Sequence, residues 1–337
     1  MQVPRFSARA TKRALAPLAL AMCAGSLAGA APPPRSVPAV ISADTLVRID
    51  TLVRAGVPAA EPPDSGSERI DEDLASTLTG RSGKLRARFL LGDEVSRLPG
   101  LGELLGAPAP AAAEMRFVDV EGASGPFALI GMLPFADKVR GRIGAYLMGF
   151  WPFERRAPRL PNYGNPSGFI EVTPETQDTY VSEHFRLKDF LTHDQQGVWP
   201  KYVVLDTRLL DKLELVIAEL EREGIRVRHL AVMSGFRTPR YNALGVGRGG
   251  RAATSRHQYG DAADVFIDND ENGWTDDVNG DGRVDVRDAQ VVQRAVERVE
   301  AEHPDLIGGV GVYPATRAHG PFTHVDARGY RARWGQE

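Results

Sequence analysis

Cysteine is almost absent: Cys23 is the only one among 337 residues. That excludes a disulfide-stapled small domain and a zinc finger built on thiolates. Aromatic residues make up 7% of the chain and the formal net charge is −3. No basic face offers itself to phosphates, so nucleic acid is not an expected partner. After residue 30 no apolar run is long enough to span a bilayer. The remaining composition is ordinary, at 42% hydrophobic and 25% charged. The length leaves room for one large domain or two smaller ones with a sizeable core.

The first thirty residues differ. Arg5, Arg9, Lys12 and Arg13 precede an apolar run from Ala14 to Ala30 that ends in Ala28-Gly29-Ala30. A basic start, an apolar middle and a small-residue cleavage site predict a secretory signal peptide over 1–30. The run contains Pro17 and is short for a membrane anchor. Met22 before Cys23 argues against a lipidated cysteine. Cleavage removes four basic and no acidic residues, taking the formal charge from −3 to −7. The expected location is the periplasm or the cell exterior, where the cell wall is the obvious polymer.

From 31 to 113 the sequence reads as a low-complexity, partly disordered spacer. Pro32-Pro33-Pro34 and Glu61-Pro62-Pro63-Asp64 punctuate it, and Thr45-Leu46-Val47-Arg48 recurs once at Thr51, too few copies for a repeat architecture. Lys84 to Leu98 suits a short helix. Residues 114–165 read as a small β-rich accessory module with strands at Phe117–Val120, Phe127–Ile130 and Ile143–Phe150. Wall binding and plain scaffolding both fit it. Ser182 suits the N-cap of a helix carrying Phe185, Leu187 and Phe190, with His184 structural rather than a ligand. Asp206 to Glu223 is the clearest helix: Leu209, Leu213, Val216, Ile217 and Leu220 recur at helical spacing, and Gly224 ends it. Leu230–Ser234, Val265–Ile267, Gly308–Tyr313 and Phe322–Asp326 read as strands. The glycine-rich loop from Gly245 to Ala253 lacks the Gly-Lys-Ser/Thr ending of a phosphate loop. The expected class is α+β: over 170–337, a small antiparallel sheet with flanking helices carries a metal site, behind the β-rich module.

The chemistry gathers at Ser255-Arg256-His257-Gln258-Tyr259-Gly260-Asp261-Ala262-Ala263-Asp264. Imidazole and carboxylate are both good zinc ligands. Gly260 permits a tight turn between His257 and Asp264, and a strand after Asp264 fixes the carboxylate. The stretch resembles the signature of the zinc D-Ala-D-Ala peptidases, Ser-x-His-x-x-Gly-x-Ala-x-Asp, within the group that includes lysostaphin-type enzymes and the hedgehog domain. The resemblance covers Ser182 to Trp334. It implies a third ligand on a late strand, supplied by Phe322-Thr323-His324-Val325-Asp326. His257, Asp264 and His324 are then the zinc ligands, with water in the fourth position. It also implies that Arg237, in a Ser-Gly-aromatic-Arg turn, holds a substrate carboxylate or carbonyl; an Arg bracing its own loop is the bland counterpart. Many relatives carry an acid three residues before the last ligand, where this chain has Pro321. Asp326 is the expected general base instead, and His319 the expected stabiliser of the oxyanion.

Nine carboxylates fall between Asp264 and Asp288. Within the insertion 268–288, the run Asp277 to Asp288 fits a calcium-loop template. Asp277, Asn279, Asp281, Arg283 through its carbonyl, Asp285 and Asp288 take the ligand positions, with Gly282 at the sharp turn. Asp288 in place of Glu resembles dockerin-type loops. An overlapping frame from Asp268, with Asp270, Asn272, Gly273 and Asp276, is the weaker match because it ends in Asn279. Calcium is the expected structural ion, since carboxylates this dense repel one another without a cation. The expected activity is hydrolysis of peptide bonds in peptidoglycan stem peptides by an exported zinc metallopeptidase. The competing readings are a wall-binding protein that keeps the metal fold as scaffold, and calcium-dependent adhesion.

Overall fold

Short apolar stretches separated by glycine and proline build the first half. The computed structural model describes residues 74–92, 110–120, 123, 125–247 and 250–335, all within the compact unit Ala55–Glu337. The expected signal segment and much of the expected spacer lie outside the described residues. Strands β1 (Ala87–Leu90), β2 (Met115–Val118) and β3 (Phe127–Gly131) form one sheet in the order β1-β3-β2, with β1 parallel to β3. Strands β4 (Leu133–Pro134), β7 (Gly168–Val172) and β8 (Lys201–Val203) form a second, antiparallel sheet. Between them β5 (Arg142–Ile143) and β6 (Tyr146–Leu147) make a hairpin that turns through Gly144 at φ 55°.

The second half carries a five-stranded sheet. Its members are β9 (Leu230–Ser234), β10 (Ala262–Ile267), β11 (Gly309–Tyr313), β12 (Phe322–Asp326) and β13 (Ala332–Trp334), in the order β13-β11-β12-β10-β9. All neighbours are antiparallel except β11 and β13. Three helices accompany it: α1 (Thr207–Arg222), α2 (Pro239–Leu244) and α3 (Val286–Glu302). Asp206 caps α1 by accepting from the Arg208 N–H at 2.9 Å. Leu209, Leu213, Val216, Ile217 and Leu220 on α1 are fully buried in the core shared with Val292, Ala295, Val296 and Val299 of α3. Each such side chain contributes about 1.5–3 kcal/mol of burial. Helix α3 packs on β11 and β12, and Thr323 on β12 donates to the Ala289 carbonyl at 2.7 Å. Helix α3 thus lies on the face that Thr323 points to, and His324, the next residue, points to the other.

A buried ion pair joins this helical layer to the sheet. Lys212 Nζ donates to Glu300 Oε1 at 2.7 Å and to the Asp326 carbonyl at 2.8 Å, with both side chains at or below 2% exposure. Burial lowers the pKa of Lys212, and Glu300 opposes that pull.

The α+β class holds, while two local expectations are corrected. Lys84 to Leu98 does not begin a helix: Ala87–Leu90 is a strand, because its backbone pairs with β3. Helical residues lie earlier, at 74–79. Ser182 caps nothing; its backbone bridges to Leu85, and only a 3-10 turn forms later at Leu187–Phe190. Part of the stretch 114–165 shares a hydrophobic core with the second half. Ala128, Ile143, Tyr146 and Trp151 belong to the same cluster as Leu213, Val265 and Val325. Trp151 Nε1 also donates to the Gln258 carbonyl at 2.8 Å.

Candidate metal centre

The site is built on one rung of the five-stranded sheet. Ser234 faces Asp264, Asp264 faces His324, His324 faces Gly311, and Gly311 faces Trp334. Asp264 and His324 therefore leave the same face of rigid, fully paired strands. His257 arrives from the 3-10 turn Arg256–Tyr259, which Gly260 ends at φ 71°. A Cβ on Gly260 would meet the Val204 carbonyl oxygen at 2.2 Å, so the chain passes here only because it is glycine.

Three atoms converge. His257 Nε2 lies 3.2 Å from Asp264 Oδ1 and 3.1 Å from His324 Nδ1, and His324 Nδ1 lies 2.9 Å from Asp264 Oδ1. The other nitrogens fix the tautomers. His257 Nδ1 donates to the Gly235 carbonyl at 2.7 Å, and His324 Nε2 donates to Asp326 Oδ2 at 3.1 Å. In the neutral rings, the two facing nitrogens therefore carry lone pairs. Two lone pairs and a carboxylate oxygen at one buried point repel unless a positive charge joins them. Metal–ligand bonds of about 2.0–2.2 Å set tetrahedral edges of roughly 3.3–3.6 Å, so a zinc ion needs only a slight opening of this triangle. The donor set and its spacing fit zinc.

The electrostatics agree. Burial pulls His257 down. Burial also favours neutral His324, but the carboxylates of Asp264 and Asp326 outweigh it and push that ring up to about 9. Burial works to raise Asp264, yet the two imidazoles hold it well below the usual carboxylate range. The cluster draws positive charge to one point, and a divalent cation there competes with a proton.

The residues around the ligands depart from expectation. Arg237 spends its fork inside the site: Nη2 pairs with Asp264 Oδ2 and Nε donates to Ser234 Oγ at 2.8 Å. It braces the ligand carboxylate, where the sequence suggested a clamp on substrate. Asp326, the expected base, is fully engaged. Its side chain is 0% exposed. It accepts from His324 Nε2, from the Gly309 N–H at 2.7 Å and from Arg328 Nε at 2.9 Å. Burial would raise it, but His324 and Arg328 hold it far below the usual range, which makes it a poor proton acceptor. It stands behind the ring and fixes the ligand tautomer. His319, the expected oxyanion stabiliser, donates through Nδ1 to the Gly320 carbonyl at 2.8 Å, so in the neutral ring Nε2 carries the lone pair.

The sequence reading gave no role to Tyr313 or Trp334. The Trp334 ring lies 5.1 Å from the His324 ring, in space that Gly311 leaves open: a Cβ there would meet Trp334 Nε1 at 2.2 Å. The available signal was the alternation Gly309, Gly311, Tyr313 on a strand beside the last ligand.

The acidic insertion is arranged differently. Asp277 accepts from the N–H groups of Gly280, Asp281 and Gly282, and Asn279 Oδ1 accepts from the Asp281 N–H. Asp281 pairs with Arg287 and accepts from the Arg283 N–H. Asp285 caps α3, and Asp288 accepts from Val278, Asn279 and Asp285. Among the described residues, the insertion's carboxylates that converge are those of Asp268, Asp270 and Asp276, within 4.8 Å of one another. These belong to the overlapping frame from Asp268. Thr275 Oγ1 ties this loop to the Pro321 carbonyl at 2.6 Å, just ahead of the His324 strand.

No protein-family model matches the chain, and no curated protein or solved structure matches it.

Proposed function

We propose that the protein is an exported zinc-dependent peptidase that hydrolyses peptide bonds in peptidoglycan stem peptides. One observation carries the reading: His257 Nε2, Asp264 Oδ1 and His324 Nδ1 meet at 2.9–3.2 Å with their outer atoms already held. These three residues would hold the ion. Bound zinc would acidify a water molecule and polarise the scissile carbonyl. Asp326 and Arg237 orient the ligands, one through His324 and the other through Asp264. His319, whose ring meets Phe322 edge-on at 5.0 Å two residues before the ligand His324, is proposed as the acceptor of the water proton through Nε2. The choice of wall peptide rests on the motif's resemblance and on the expected export. Calcium is proposed as a structural ion of the insertion, at Asp268, Asp270 and Asp276.

A second reading has a specific observation behind it. Asp326 is fully engaged and Pro321 replaces the expected acid, which suits a wall-binding protein that keeps the metal fold without turnover. Purified sacculi incubated with the zinc-loaded protein separate the two, with released muropeptides read by mass spectrometry. New peptide ends that disappear with a zinc chelator and in His257→Ala support the peptidase. Intact sacculi, with zinc bound to the protein, support the binding module.

A further inference from the structure

The aromatic rim of the metal centre holds a polar atom that no step above uses. Tyr313 ends β11, and its ring lies flat on Phe322 with centroids 4.6 Å apart and 9° between planes. Its phenolic oxygen accepts from Trp334 Nε1 at 2.7 Å. An indole N–H only donates, so the direction of that bond is fixed and the phenol keeps its own proton to give. Among the described residues nothing takes that proton. Tyr313 is 36% exposed, which leaves the O–H open to a substrate.

The phenol also sits on the correct face. Gly311 is paired with both His324 and Trp334, and Tyr313, two residues further along the strand, projects from the same side as Gly311. The Trp334 ring bridges from the phenol to His324. Burial is the main cause that raises the phenol's pKa, and Asp264 adds to it against Trp334 and Arg237. Both Asp264 and Arg237 are therefore electrostatic neighbours of the hydroxyl, and it stays protonated at neutral pH.

We propose that Tyr313 is a catalytic residue that donates a hydrogen bond to the oxyanion of the scissile carbonyl, and that Trp334 positions it. The inference rests on the peptidase reading. As water adds to the carbonyl carbon, one water proton passes to His319 Nε2 and the C=O π pair moves onto oxygen. The Tyr313 O–H donates to that oxygen without transferring its proton. When the C=O re-forms, the C–N bond breaks and the amine leaves with the proton returned by His319. Electrons and protons balance within substrate, water and the named side chains.

The test compares parent and Tyr313→Phe, each with its zinc content measured, on purified sacculi and on a phosphinate peptide whose tetrahedral oxygen resembles the oxyanion. Removing one preorganised oxyanion donor lowers kcat by about 10²–10³-fold. The expected result is that loss, with KM within about twofold, zinc stoichiometry unchanged and phosphinate binding weakened in parallel. A Tyr313→Phe variant with kcat near the parent value overturns the inference and leaves the peptidase reading standing. Loss of activity that tracks loss of zinc also overturns it, because the residue is then structural. A zinc-loaded parent that leaves sacculi intact overturns the peptidase reading and the inference together.

Discussion

Two groups of candidate ion ligands lie close together in this chain and are held in opposite ways. At the metal centre the ligands are far apart in sequence, with His257 and His324 67 positions apart, and both rings are buried. The outer atoms of His257 and Asp264 are occupied by groups from other segments, Gly235 and Arg237, and that of His324 by Asp326 on the same strand. In the insertion, most carboxylates are satisfied two to five residues away, by the loop's own N–H groups. The first cluster exists only when the sheet is folded. The second is written into a turn-rich local sequence. An ion at the first meets a preorganised, desolvated triangle, whereas an ion at the second competes with water and with the loop's own backbone.

That contrast can be broken in several ways. The largest effect is expected behind the sheet. Lys212→Met leaves Glu300 buried without its cation, and chemical denaturation should show a loss of about 3–5 kcal/mol; a change under 1 kcal/mol would detach the ion pair from the stability of the metal sheet. Next comes the ligand set. Sharing the roughly 10–16 kcal/mol of a structural zinc site among four ligands gives His257→Ala a zinc-affinity loss of about 10²–10³-fold, measured by competition with a chelator dye. Unchanged affinity would remove the triangle as the site.

Asp326→Asn sharpens the comparison further. If Asp326 orients His324, zinc affinity falls about 10–100-fold and added zinc restores turnover. If it is the base, affinity holds and turnover is lost at saturating zinc. In the insertion, calcium at 100 times its dissociation constant should add about 2.7 kcal/mol to stability, read as a rise in Tm. Asp268→Asn should abolish that rise and Asp281→Asn should leave most of it. The reverse result would return the ion to the Asp277–Asp288 loop.

The smallest expected effect is a pH dependence away from both clusters. Glu214, fully buried on α1, bonds His184 Nδ1 at 2.7 Å and, as the largest cause, raises the pKa of that ring against burial. A His whose folded pKa lies above its unfolded value near 6.5 contributes stability that is complete below 6.5 and lost as pH rises through the folded pKa. Melting curves of the parent should decline over that window relative to His184→Ala. Parallel curves would show that the pair contributes nothing.

Legibility followed the range of the interaction. Helix α1 was readable because its apolar positions recur every three to four residues and Asp206 and Gly224 bound it. Strand β12 was readable from its alternation. Lys84 to Leu98 was misread because its strand character comes from pairing with Phe127–Gly131, some forty residues away. Ser182 was misread for the same reason, since a long-range bridge to Leu85 took its backbone. The roles of Arg237, Asp326 and His319 could not be read, because what each side chain can do depends on which of its atoms a neighbouring group in the fold already occupies.

The sequence by itself determined the α+β elements with strong local periodicity, the glycine turn at Gly260, and the residue types available as ligands. It also determined the acidic insertion, whose turns arise from side chains bonding their own backbone. Only the tertiary structure decided which lone pairs face one another. It set Asp326 behind His324 and Arg237 on Asp264, and opened the space over Gly311 in which Trp334 holds Tyr313. The physical reason is that a hydrogen-bonding atom has few directions in which to act, and the fold assigns them by burial and register across strands that are distant in the chain.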